Sequence, residues 1–110
     1  MTMDLQVVHV PDCPNLAPLL EHLRMVTAVP VVTVEVRTEA EAIAAGMAGS
    51  PTLLVDGIDP FADRDSRSCG MSCRIYRDEH GRPVPAPTVA QLRAALATRQ
   101  GGAQRLADGP

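Results

Sequence analysis

The sequence predicts one α/β domain with the element order β-α-β-α-β-β-α. Three observations favour it: short apolar runs rich in β-branched residues, segments with apolar residues at helical spacing between them, and capping-box patterns that begin helices. A chain of 110 residues fits a single domain. We assign residues 1–99 to that domain and expect residues 100–110, a polar segment with glycine and alanine, to be a flexible tail.

The first strand and the first helix meet at a short segment that contains a cysteine. Residues 5–10 are apolar and β-branched, and Pro11 ends this strand because proline cannot donate to a strand ladder. Either Cys13 or Asn15 can be the N-cap of the helix that follows. The apolar positions of that helix are Leu16, Leu19, Leu20, Leu23 and Val26.

The next two elements form a strand and a short helix. Residues 31–37 alternate valine with polar residues, which predicts a second strand with one buried face. Thr38 and Glu41 have the spacing of a capping box before the alanine-rich residues 40–47. We expect Gly46 to help end this second helix.

The last three elements complete the domain. Residues 51–55 predict a third strand, which Asp56-Gly57 ends with a turn. Residues 73–76 predict a fourth strand. The segment Thr88–Gln91 has a second capping-box pattern and predicts a third helix.

Composition restricts the possible partners. The net charge of −3 arises from interspersed charges of both signs, and the aromatic residues are Phe61 and Tyr76 alone. We therefore expect no nucleic-acid partner, since there is neither a basic surface nor a platform for stacking bases. We also expect no membrane partner and a cytoplasmic location, because no signal-peptide pattern and no apolar run of about 20 residues occurs.

Cys13 is the leading candidate for chemistry. Free N–H groups and the positive dipole end at a helix start stabilise a thiolate, which is the reactive form of cysteine. The neighbouring Asp12 carboxylate works against a thiolate unless it points away. The alternative interpretation is that Cys13 is a small buried apolar residue at a junction.

Cys69 and Cys73 lie at the far end of a long loop that follows the third strand. They could supply a resolving thiol, an internal disulfide, or two soft ligands for a thiophilic metal. In a fourth strand, Cys73 would share a face with Ile75. If Ile75 points to the core, Cys73 does too, and Cys69 is the more exposed partner.

The histidines and the loop carboxylates are weak candidates for catalysis. We assign no catalytic role to His9, His22 or His80. The carboxylates of the long loop are most simply a solvated charged segment: Asp59, Asp63 and Asp65.

The element order, Cys13 at the first strand-to-helix junction, and the segment 49–57 (GSPTLLVDG) together resemble the thioredoxin superfamily over residues 5–98. This resemblance implies a mixed four-stranded sheet with helices on both faces. It also implies a cis-proline at Pro51 beside Cys13, and it makes Ser50 the residue whose main chain binds an extended substrate.

Two features depart from plain thioredoxins. The motif Cys13-Pro14-Asn15-Leu16 has leucine where the resolving cysteine of Cys-x-x-Cys would stand, so a two-cysteine cycle cannot operate within it. The long loop with Cys69 and Cys73 resembles that of small thioredoxin-like bacterial proteins filed under organomercurial (alkylmercury) lyase.

The sequence thus favours a thiol-dependent redox or thiol–disulfide exchange protein without a resident cofactor or metal. Cys13 would attack a disulfide, Ser50 and Pro51 would shape the groove, and Cys69, Cys73 or a low-molecular-weight thiol would resolve the mixed disulfide. Cys69 is preferred to Cys73 for that step. One alternative is the handling of a soft metal ion or an organomercurial by Cys13 and one or both loop thiols, with one of the loop carboxylates as the proton donor in carbon–mercury bond cleavage. Another is a non-catalytic thioredoxin-like binding module, and the sequence leaves the oligomeric state open.

Overall fold

Short strands and three helices make up the part of the chain that the computed structural model describes, residues 3–62 and 70–97. In chain order they are β1 (Leu5–His9), α1 (Leu16–Val26), β2 (Val31–Glu35), α2 (Glu39–Ala44), β3 (Ala48–Ser50), β4 (Thr52–Val55), β5 (Gly70–Cys73), β6 (Tyr76–Arg77), β7 (Pro83–Val84) and α3 (residues 89–97).

The main sheet has three strands in the order β2-β1-β4. Strands β1 and β2 are parallel and pair Leu5 with Val31, whereas β1 and β4 are antiparallel and pair Leu5 with Val55. The two parallel strands are connected through α1, as a parallel pair requires a crossover. Strand β3 pairs in parallel with β5, and β6 pairs antiparallel with β7. The protein is therefore an α/β domain with a mixed sheet, as the element order predicts.

Apolar side chains cover both faces of this sheet, because successive residues of a strand point to opposite faces. On one face the core residues from the sheet, α1 and α3 pack together: Leu5, Val7, Leu19, Leu23, Leu53, Val55, Ala86, Leu92 and Leu96. On the other face a smaller cluster packs around α2: Val8, Val36, Ala42, Met47 and Leu54. The ends of β1 and α1 thus rest on a well-packed core.

Both predicted capping boxes form. The Glu41 N–H donates to Thr38 Oγ1 at 3.1 Å, and the Glu41 carboxylate accepts from the Thr38 N–H at 3.2 Å. At the start of α3, the Gln91 N–H donates to Thr88 Oγ1 at 3.1 Å and Gln91 Oε1 accepts from the Thr88 N–H at 3.0 Å. Each box satisfies N–H groups that have no partner inside the helix.

The predicted turn after β4 is also confirmed. Asp56 and Gly57 have φ angles of 53° and 81°, the left-handed backbone that a tight two-residue hairpin turn requires at both positions. Val55 and Ile58 exchange main-chain hydrogen bonds of 2.8 and 3.0 Å across the turn.

The single fourth strand predicted over residues 73–76 is wrong. Its first residue ends β5 and its last begins β6, and Arg74 and Ile75 lie between these strands. The run divides because the two strands have different partners, β3 for β5 and β7 for β6. Strand β3, which pairs with β5, was not predicted from the sequence.

The buried face predicted for the second strand is only partly buried. Val36 is buried, but Val32 on the same side is 53% exposed. Val36 packs in one cluster with Ala42 of α2, and Val34 is partly buried against that cluster.

Some expectations concern residues outside the described ranges. The predicted tail at residues 100–110 lies there, as do Cys69, Asp63 and Asp65. Within the described ranges, no helix has both the length and the apolar character needed to cross a membrane.

Candidate thiol site

Cys13 lies in the short connection between β1 and α1, where it is partly exposed. Asn15 is the N-cap of α1, so Cys13 lies two residues before the N-cap. The Leu16 N–H donates to the Cys13 carbonyl at 3.3 Å, which occupies the first N–H of the helix. Asp12 is exposed and has a φ of 57°, a left-handed conformation that turns the chain just before the thiol.

The Ser50 hydroxyl is the direct partner of the Cys13 sulfur. Ser50 Oγ donates to Cys13 Sγ at 3.1 Å and accepts the Val10 N–H at 3.1 Å. Because the main-chain donor occupies a lone pair of the oxygen, it orients the hydroxyl proton towards the sulfur. The hydroxyl therefore holds the Cys13 sulfur in place and offers it a donor, and hydrogen bonds to an ionised acceptor are about twice as strong as those to a neutral one.

A cis peptide bond joins Ser50 and Pro51. It is the isomer that the resemblance implies at this position, and the Ser50 contact places it beside Cys13. Both residues are buried, with Ser50 only 1% exposed. The thiol is therefore partly open to solvent, while the segment that supports it is enclosed.

Residues that follow β5 donate hydrogen bonds to the main-chain carbonyls of both Ser50 and Pro51. The Arg74 N–H donates to the Ser50 carbonyl at 3.0 Å, and the Tyr76 hydroxyl donates to the Pro51 carbonyl at 2.6 Å. The position of the Ser50 hydroxyl against Cys13 thus depends on residues 74–76.

A buried ion pair holds Arg74 in place. Its guanidinium donates to Asp59 Oδ2 at 2.6 Å, and the two side chains are only 7% and 12% exposed. It also donates to the Phe61 carbonyl at 2.7 Å and lies 4.6 Å from the centre of the Tyr76 ring. The prediction that Asp59 is part of a solvated segment is therefore wrong, because Arg74 gives the carboxylate a buried partner.

Tyr76 is buried beneath this pair. Burial raises the pKa of its phenol from 10.0 to about 12, and the nearby Arg74 charge counteracts only part of this rise. The Phe61 ring meets the Tyr76 ring edge to face, with centroids 5.8 Å apart. The phenol consequently stays protonated through neutral pH and remains a donor to the Pro51 carbonyl.

Strand β5 brings the main chain of Cys73 next to the site. Ser50 and Cys73 are in register across the parallel pair, after an irregularity between Ala48 and Ser50. The sequence argument for a core position of Cys73 required an inward Ile75, but Ile75 is 67% exposed. That argument therefore fails, and the backbone register is what locates Cys73.

Two of the three histidines, His9 and His22, have a ring nitrogen within hydrogen-bond distance of a main-chain carbonyl. His9 Nδ1 is 2.9 Å from the Val10 oxygen, and His22 Nδ1 is 2.7 Å from the Pro87 oxygen. His80 lies in the turn between β6 and β7. Within the described residues, no group of three or more His, Cys, Asp or Glu side chains is placed so that it could hold a metal ion.

The residues that sequence reasoning missed are Arg74, Asp59 and Tyr76. They are far from Cys13 along the chain, and each was interpreted as part of a strand or a loop. The sequence holds no local signal for them, since even Arg74 fits the predicted alternation as the polar position between Cys73 and Ile75.

Comparisons with known proteins gave no match: no protein-family model fits the chain, and neither the curated proteins nor the solved structures include a similar one. The function must therefore be inferred from the geometry of the thiol site itself.

Proposed function

We propose that this protein performs thiol–disulfide exchange through Cys13 on a thioredoxin-like scaffold. The scaffold proposal is supported by the strand order β2-β1-β4, with a parallel β1–β2 pair, an antiparallel β4 and the cis bond before Pro51. In this proposal, the segment that follows β5 takes the place of the fourth strand of the main sheet. The observation that carries the functional proposal is the hydrogen bond from Ser50 Oγ to Cys13 Sγ.

The first step is attack by the Cys13 thiolate on a substrate disulfide, R–S–S–R′. A bond forms between Cys13 Sγ and one substrate sulfur, the S–S bond breaks, and R′–S⁻ leaves with the electron pair. The Ser50 hydroxyl holds the attacking sulfur in position and stabilises its charge before the attack.

The second step resolves the mixed disulfide. If the Cys69 or Cys73 thiolate attacks Cys13 Sγ, R–S⁻ leaves and an internal disulfide forms, which an external dithiol then reduces; the two electrons that reduce the substrate then come from two protein thiols. If a low-molecular-weight thiolate R″–S⁻ instead attacks the substrate-derived sulfur, the Cys13 thiolate leaves and R–S–S–R″ is released, so the substrate disulfide is exchanged rather than fully reduced.

Mass spectrometry of the reduced protein tests this proposal. We expect exposure to a low-molecular-weight disulfide, such as glutathione disulfide, to give either a mixed disulfide on Cys13 or an internal disulfide that includes it. A Cys69→Ser/Cys73→Ser variant keeps Cys13 as its one cysteine and should accumulate the mixed disulfide. The Cys13→Ser variant is the matched control and should lose the reaction.

Two outcomes would contradict the proposal. In the first, Cys13 stays reduced while Cys69 or Cys73 reacts. In the second, Cys13 in the Cys69→Ser/Cys73→Ser variant reacts no faster than a cysteine in the unfolded chain.

A further inference from the structure

Strand β5 occupies the sheet edge beside the thiol. An extended peptide binds most simply by adding a strand to such an edge, where main-chain groups give affinity. Here the pairing partner of β3 is the chain itself, with Ala48 opposite Gly70 and Ser50 opposite Cys73. The Ser50 carbonyl, the acceptor next to Cys13, takes the Arg74 N–H at 3.0 Å.

Thr52 engages two more main-chain groups of β3. The Ala48 N–H donates to Thr52 Oγ1 at 3.0 Å, and the Thr52 hydroxyl donates to the Gly49 carbonyl at 2.5 Å. Thr52 is fully buried, so a substrate cannot displace it without opening the core.

Further main-chain groups near the thiol are engaged in the same way. Pro51 has no N–H, and its carbonyl accepts the Tyr76 hydroxyl. The Val10 N–H is bound to Ser50 Oγ, and the Cys13 carbonyl accepts the Leu16 N–H. Among the described groups named here, the partly exposed Cys13 is the accessible reactive one.

We infer that the substrate of Cys13 is a small disulfide rather than a disulfide embedded in an extended peptide. The inference rests on the proposed exchange function and adds its substrate class. A small disulfide needs only access to the sulfur, whereas a peptide strand needs main-chain partners that β5, Thr52 and Tyr76 already hold.

Two probes with the same leaving group separate the two substrate classes. One is the mixed disulfide of N-acetylcysteine amide with thionitrobenzoate, and the other carries the same disulfide on the central cysteine of an uncharged peptide of roughly ten residues. Release of the coloured thiolate gives the rate for each, with Cys69→Ser/Cys73→Ser protein so that Cys13 alone reacts.

For this protein we expect the peptide probe to react no faster than the small probe. A free edge would add main-chain hydrogen bonds and accelerate the peptide by roughly tenfold. A peptide rate more than about threefold above the small-probe rate overturns the inference. If both probes react only as fast as with an unfolded cysteine, the proposed exchange function itself fails, which is a different result.

Opening the edge provides a second test within the folded protein. Met71→Pro interrupts β5, since proline cannot donate to a ladder, whereas Met71→Ala removes the same side chain and keeps the N–H. We expect the ratio of peptide rate to small-probe rate to rise about threefold or more in Met71→Pro and to stay unchanged in Met71→Ala. An unchanged ratio in a folded Met71→Pro protein, or the same rise in both variants, contradicts the assignment of β5 as the blocking strand.

Discussion

The Ser50 hydroxyl and the Cys13 sulfur are 3.1 Å apart although the residues are separated by 37 positions in the sequence. The contact joins the connection after β1 to the last residue of β3. Since the same hydroxyl accepts the Val10 N–H, that connection supplies both a donor and an acceptor to the Ser50 oxygen and so determines where its proton points.

Replacement of Ser50 with alanine tests this contact. We expect Ser50→Ala to lower the rate at which iodoacetamide alkylates Cys13 at pH 7 by roughly five- to thirtyfold, because the thiolate loses a hydrogen bond worth about 1–2 kcal/mol. The Cys69→Ser/Cys73→Ser background assigns the rate to Cys13.

Thr52→Val is the matched control for Ser50→Ala. It removes a buried hydroxyl from the same segment, but that hydroxyl binds Ala48 and Gly49 rather than the sulfur. We expect it to lower thermal stability with little change in the alkylation rate. Equal losses of rate in the two variants would mean that general loosening, and not the Ser50 contact, controls the thiol.

The buried Arg74–Asp59 pair predicts strong coupling in a double-mutant cycle. Removing one partner strands a charge among buried groups, so Asp59→Ala and Arg74→Ala should each lower the free energy of unfolding by about 3–5 kcal/mol. The double variant should lose clearly less than the sum, because neither charge remains unpaired.

Urea denaturation of the three variants measures this coupling. Arg37→Ala is a useful control, since Arg37 pairs with Glu35 at the surface with side chains 71% and 40% exposed. Such exposed pairs contribute about 0–1 kcal/mol. Additive losses at Asp59 and Arg74 would show that the pair does not hold the segment below the thiol site.

The contrast between these contacts and the helix caps shows what a sequence can predict. Thr38 with Glu41, and the turn at Asp56-Gly57, are encoded by neighbours along the chain, and both form as expected. The Arg74–Asp59 pair spans 15 positions and depends on how a loop folds back, which no local periodicity records.

The same reasoning explains the errors around β5. Alternation places Cys73 and Ile75 in one strand, whereas β5 pairs with β3 and β6 pairs with β7, so the run divides before Tyr76. The thiol at the end of β1 was predictable because it follows a strand and precedes a helix. Its partner Ser50 entered only through the resemblance, since two distant segments must meet to form the contact.

A helix-cap variant provides a prediction independent of the thiol. Thr38→Ala should lower the free energy of unfolding by about 1 kcal/mol, because the Glu41 N–H loses its side-chain acceptor. Thr38→Ser keeps that acceptor and should stay within about 0.5 kcal/mol of the original protein in urea denaturation. A Thr38→Ser loss as large as that of Thr38→Ala would contradict a capping role.

Tyr76 predicts a specific loss of stability in alkaline solution. Burial raises the pKa of its phenol to about 12, above the value of 10.0 expected when the chain is unfolded. From pH 10 to 12 the unfolded chain therefore releases the phenolic proton while the folded protein retains it, so the stabilisation present below pH 10 is lost as the pH rises. The sequence contains one tyrosine and no lysine, which leaves Tyr76 as the main group with a pKa in this interval.

Urea denaturation between pH 9 and 12 under reducing conditions measures this effect. We expect the free energy of unfolding to fall by roughly 2 kcal/mol across the interval, since each unit of pKa difference corresponds to about 1.4 kcal/mol. Tyr76→Phe should be less stable at neutral pH by about 1–2 kcal/mol, because the Pro51 carbonyl loses its donor, yet it should lack the alkaline decline. A decline of equal size in Tyr76→Phe would assign it to another group, and tyrosinate absorbance that rises near pH 10 in the folded protein would contradict the buried phenol.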